Sequence, residues 1–200
     1  EAQGQTVLLS ELDDCRKGYE LLSKAEMCFM GVDVGTVLNV IISQKIGGKN
    51  RYVYIGTVND FLGPKDSIEE LMTRFDVKMM VIDAKPETKK VRELIEKYPN
   101  RVYAAYYPSK KFDVQKYYEY DDYRMEVSID RTISLDYLVS EIQNGLVELP
   151  SNAQHIREFY SQMTSPQRIT EVNQRTGQPQ ASWIERGPDW YQGVDINVPE

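Results

Sequence analysis

Asp33 closes the apolar run Phe29-Met30-Gly31-Val32, Asp83 closes Met80-Val81-Ile82, and Asp189 follows Gly187-Pro188. A carboxylate carried by β-forming residues must be solvated, paired or metal-bound, because burying it alone costs several kcal/mol. Three such acids point to a site for a divalent cation, since hard ions such as Mg²⁺ and Mn²⁺ take oxygen ligands. Other ligand types are scarce. Cys15 and Cys28 form no Cys-x-x-Cys pair and His155 is the single histidine, so neither zinc nor thiol chemistry is indicated and His155 is given no catalytic role.

Positioning these acids requires strands that bring distant segments together. Met27 to Val34, Val37 to Lys45 and Arg51 to Val58 read as three strands in series, with Gly47-Gly48-Lys49-Asn50 as the tight turn between the last two, an antiparallel meander. Ser67-Ile68-Glu69-Glu70 is a capping box opening a helix whose Ile68, Leu71, Met72 and Phe75 share a face. Val77 to Ile82 follows as an apolar strand. Pro86 then stands in the first turn of a helix carrying Val91, Leu94, Ile95 and Tyr98, and Arg101 to Tyr106 is another strand. Helices are expected over Ser134 to Asn144 and Ser151 to Met163, and the strands Arg168 to Asn173 and Ala181 to Glu185 pair as a hairpin. The Thr6 to Ser23 pattern fits a short docked helix or a linker, and the tyrosine-rich, charged stretch from Tyr106 to Tyr123 reads as a surface loop.

Composition narrows the class. With 200 residues, 41% of them hydrophobic, the chain can close one sizeable core, and its longest apolar runs fall far short of the ~20 residues that span a bilayer. Two cysteines make no disulfide framework, which suggests an intracellular protein. A net charge of −7 excludes a uniformly basic coat for nucleic acid but leaves room for a local basic groove.

The order β-β-β-α-β-α-β-α, with one acid on the first strand and another ending the fourth, resembles a ribonuclease H-like (RuvC-like) α/β fold, a mixed central sheet flanked by helices. In such a sheet the first and fourth strands are neighbours. Met30-Gly31-Val32-Asp33, Val81-Ile82-Asp83-Ala84-Lys85-Pro86-Glu87, Val127-Ser128-Ile129-Asp130-Arg131-Thr132 and Pro188-Asp189-Trp190-Tyr191 together resemble the C-terminal nuclease domain of the large terminase subunit of tailed bacteriophages. The likeness runs from about Met27 onward, so residues 1–25 are expected to be a linker or docking helix from an upstream domain and residues 26–200 the nuclease domain.

That resemblance implies a metal-dependent endonuclease cutting double-stranded viral DNA during packaging, with two Mg²⁺ or Mn²⁺ ions held by Asp33, Asp83 and Asp189. Asp195 is the second choice for the third acid, because Trp190 stands where the family commonly has histidine after the aspartate. The terminase small subunit and portal protein are the implied partners, the host cytoplasm the implied location, and the isolated domain is expected to be a monomer that inserts in no membrane. No Gly-x-x-x-x-Gly-Lys-Ser/Thr phosphate loop occurs, so no packaging ATPase is expected in this chain. Lys110 and Lys111, beside the tyrosines, and Arg168 and Arg175, on the hairpin, are candidate DNA contacts, although Asp113, Glu119, Asp121 and Asp122 dilute the first pair. Lys85, Lys89, Lys90 and Arg92 read as a solvated helical face, and Arg131 either as part of the family pattern or as a structural ion-pair partner. The alternatives are a non-catalytic DNA-binding or assembly module of the same fold and a Holliday-junction-resolvase-like nuclease. Gly31-Val32-Asp33-Val34-Gly35-Thr36 also resembles the phosphate loop of actin-like ATPases, but a second Asp-x-Gly loop is absent.

Overall fold

The computed structural model describes residues 5–110 and 112–185. The N-terminal segment forms α1 (Leu9–Cys15), shorter than its apolar pattern suggests, because the chain beyond it pairs with other backbone. Lys17 N–H donates to the Leu149 carbonyl at 2.9 Å and Leu22 N–H to the Val53 carbonyl at 2.9 Å, which holds these residues extended.

The meander forms as expected: β1 (Cys28–Val34), β2 (Leu38–Ile46) and β3 (Lys49–Val58) pair antiparallel in turn. Gly47 and Gly48 turn the chain between β2 and β3 with φ of 56° and 80°, a left-handed pair that glycine adopts without a Cβ clash. α2 (Ile68–Arg74) starts at the predicted cap. Ser67 Oγ accepts from the Glu70 N–H at 3.1 Å and donates to the Gly63 carbonyl at 2.6 Å, with Ser67 fully buried. Ser67→Ala strands both groups, and we expect a loss of about 1–2 kcal/mol in urea unfolding; a change under a few tenths would show that water replaces both bonds.

β4 (Val77–Asp83) lies parallel to β1, and α3 (Thr88–Lys97) leads to β5 (Val102–Tyr106), parallel to β4. The helix begins two residues after Pro86 rather than around it: Thr88 Oγ1 donates to the Ala84 carbonyl at 2.8 Å and closes a turn first. The tyrosine-rich stretch read as a loop supplies β6 (Tyr118–Asp121), antiparallel to β7 (Glu126–Ile129). Every β6 residue is exposed, so no burial alternation marks it in the sequence. Its tyrosines instead make edge contacts, Tyr120 with Tyr103 at 4.9 Å and Tyr118 with Tyr120 at 5.7 Å between ring centres.

α4 (Arg131–Gln143) starts three residues before the expected Ser134, because the Asp130 carboxylate accepts from the Ile133 N–H at 3.0 Å. A two-residue β8 (Val147–Glu148) joins β3. The single helix expected over Ser151 to Met163 is instead a 3-10 turn at Ala153–His155 and then α5 (Phe159–Thr164), separated by a left-handed Glu158 that turns the chain to bury Phe159. β9 (Pro166–Val172) and β10 (Pro179–Glu185) form the expected hairpin.

The main sheet runs β6-β7-β5-β4-β1-β2-β3-β8. One face, with Met30, Val32, Val40, Ile42, Met80 and Ile82, packs against α2 and α3 in the larger core. The other face is covered toward β3 and β8, where Ile55, Val147 and Leu149 meet α1, α4 and α5. Over β1 it stays open: Phe29, Gly31 and Asp33 alternate outward and are exposed. Among the described residues no helix is long and apolar enough to cross a membrane.

Candidate active site

β1, β4, β5 and β7 are mutually parallel, so their carboxyl ends share one edge of the sheet. The chain leaves β1 toward β2 on one side while β4 and β5 extend on the other, which makes that edge a topological switch point, where open α/β sheets bind ligands. Asp33 and Asp83 stand there. Val32 is registered with Ile82, and the two aspartates follow one residue later on their strands, with side chains within hydrogen-bonding reach of each other.

Neighbouring strands hold the outer side of each acid. Asn39, the cross-strand partner of Asp33 on β2, donates its amide to Asp33 Oδ2 at 3.0 Å. Tyr107 follows Ala105, the partner of Asp83 on β5, by two residues and therefore points the same way; its hydroxyl donates to Asp83 Oδ1 at 2.8 Å. Tyr107 is 44% exposed, and desolvation together with the Asp83 charge raises the pKa of its hydroxyl and holds it protonated. Neither Asn39 nor Tyr107 stood out in the sequence. The signal that finds them is the register itself, once β2 and β5 are known to flank β1 and β4.

Desolvation raises the Asp83 pKa to about 6; the Tyr107 hydrogen bond opposes this, the nearby Asp33 carboxyl adds to it, and the Arg131 guanidinium opposes it. Because the folded value lies above the ordinary 3.8, the folded chain holds a proton that the unfolded chain has released, so this contribution to stability is present below about pH 4 and is lost as pH rises through about 6. Asp83→Asn removes the dependence. Without metal, the stability difference between Asp83→Asn and the parent should move in the variant's favour by on the order of 1–2 kcal/mol between pH 4 and pH 7, after allowance for solvent screening. Urea midpoints that keep a constant offset across that range would refute it.

Among the described residues no third acid, histidine or cysteine completes a metal-binding cluster. Asp189, Asp195 and Lys111 lie outside the described residues.

The large terminase nuclease from thermophilic phage G20c with bound magnesium matches with a TM-score of 0.55 at 14% identity, over 92% of this chain and 90% of that one. The same nuclease with bound cobalt gives 0.54 at 14% identity, over 92% of each chain. The Thermus phage P74-26 large terminase nuclease domain gives 0.51 at 11% identity, over 89% of this chain and 85% of that one. The chain has the terminase nuclease fold. The ribonuclease H-like mixed sheet flanked by helices, expected from the order of elements, is therefore present. No family model matches the sequence, and no curated protein matches it.

Within the terminase nuclease fold, two of the candidate DNA contacts, Lys110 and Arg168, have partners of their own. Lys110 pairs with Glu119 at the sheet's β6 edge. Arg168 forms a two-pronged bond to Asp136 on α4, at 2.8 and 3.1 Å, and Trp183 Nε1 donates to the same carboxylate at 2.7 Å, so this arginine ties the hairpin to the body. Arg175 sits exposed at the hairpin turn. His155 is exposed, while Cys15 and Cys28 are buried free thiols.

Proposed function

We propose that the chain is a divalent-metal-dependent endonuclease that cuts double-stranded DNA during phage genome packaging. One observation carries the reading: two aspartates from parallel neighbouring strands meet at the switch point of a fold whose solved examples are terminase nucleases, one of them with magnesium or cobalt bound.

The residues fit such an ion. Two carboxyl groups in hydrogen-bonding reach repel when both are ionised; burial first, with the Asp33 charge adding to it, raises the Asp83 pKa to about 6, and a divalent cation between them would offset both costs. Asn39 and Tyr107 each engage one oxygen, which orients the acids and leaves other lone pairs toward the open face. Asp33 and Asp83 would hold the metal, with Asp189 as the proposed third ligand and Asp195 as its substitute. Two divalent ions bound there would neutralise charge on the phosphate and make water a stronger nucleophile. The exposed Phe29-Gly31-Asp33 strip lets a duplex approach, and a side chain at Gly31 would meet nothing within 4 Å. In this proposal a terminase small subunit and portal protein choose where the nuclease acts.

The test is plasmid cleavage with Mg²⁺, with Mn²⁺ and with EDTA. Nicking and linearisation with either ion, abolished by EDTA, are the expected result. DNA binding without cleavage under all three conditions would favour the non-catalytic module, and cleavage confined to branched DNA would favour a junction resolvase.

A further inference from the structure

α4 brings a cation to the acid pair. Arg131 is the first residue of the helix, fixed in place by the Asp130 cap. Its guanidinium carbon lies 6.0 Å from the centre of the Tyr107 ring, the same tyrosine whose hydroxyl bonds Asp83, and its charge reaches Asp83. Other arginines nearby in the chain are engaged: Arg92 with Glu126, Arg124 with Asp121, and Arg168 with Asp136. Arg131 pairs with no carboxylate among the described residues and is only partly buried, so its N–H donors are available to a ligand.

The charge on a pair of aspartates that attracts a metal also repels a phosphodiester. A guanidinium beside them offsets that repulsion, and its planar fork matches two oxygens of one phosphate. We propose that Arg131 binds the non-bridging oxygens of the phosphodiester being cut, a role that rests on the nuclease reading above. It seats the phosphate against Asp33 and Asp83 and stabilises the charge that grows on those oxygens as the bond breaks. Lysine at this position keeps the charge and loses the fork.

The experiment compares the parent chain, Arg131→Gln and Arg131→Lys in two assays: plasmid cleavage at saturating DNA with Mn²⁺, and the rise in melting temperature that Mn²⁺ produces without DNA. The expected result is that Arg131→Gln cleaves about 100-fold more slowly, that Arg131→Lys recovers part of the rate, and that both keep the parent's Mn²⁺-induced rise. Arg131→Gln cleaving at the parent's rate would overturn the assignment and leave the nuclease reading standing. Loss of the Mn²⁺-induced rise along with cleavage would also overturn it, because Arg131 would then be positioning the acids and not the phosphate. A parent chain that cuts no DNA despite an intact Mn²⁺-induced rise would refute the nuclease reading itself, and this role with it.

Discussion

Asp33→Asn is expected to leave supercoiled plasmid intact under conditions in which the proposed nuclease nicks and linearises it. Asp33 is exposed on the open face of β1, holds no apolar neighbour in place, and shares its site with Asp83. Its replacement removes a charge and a hard oxygen ligand while leaving the strand pairing intact, so the variant should fold as well as the parent. Changing groups that merely orient metal ligands typically costs 10–100-fold, and loss of a ligand from the pair should cost on the order of 10³-fold or more. Gel densitometry over a time course measures that range. A variant that cuts within tenfold of the parent would remove Asp33 from the site and end the proposal.

Phe75→Ala should produce the largest loss of stability. Phe75 ends α2, is 0% exposed, and lies 5.5 Å from the Tyr54 ring of β3 between centres. Truncation to alanine both forfeits the transfer of the ring from water and leaves a cavity between α2 and the sheet, about 3–5 kcal/mol together. For a chain of this size each kcal/mol corresponds to roughly 2–4 °C in Tm, so a drop of about 10 °C is expected by calorimetry. Phe75→Leu, which keeps most of the volume, should lose less than half as much. Equal losses in the two variants would mean that the ring's shape, and not its volume, sets the cost.

Asp33 and Asp83 were legible because each ends a run of β-forming residues, a place where a lone acid needs an explanation, and the order of elements made their strands neighbours. Gly47-Gly48 and Ser67 were legible because turn and cap chemistry is local. What the sequence concealed depends on pairing between distant segments. Tyr107 and Asn39 become site residues only through the register of β5 on β4 and of β2 on β1. β6 carries no burial pattern and is held by its ladder to β7 and by aromatic contacts. Arg168 resembled a free DNA-contacting cation until the fold placed Asp136, thirty-two positions earlier in the chain, opposite it.

The exposed strand β6 has a consequence for how the molecule behaves when concentrated. It is the last strand at one end of the sheet, and its outer backbone groups could template another copy. Glu119 and Asp121 alternate along it, ion-paired with Lys110 and Arg124, so a second strand meeting it rim to rim runs against a row of charged side chains. The strand is also only four residues long, which gives a visiting strand few ladder bonds to gain. Length and charge together make this rim a poor seed for self-association, and neutralising substitutions along it would turn a soluble edge into an aggregation-prone one.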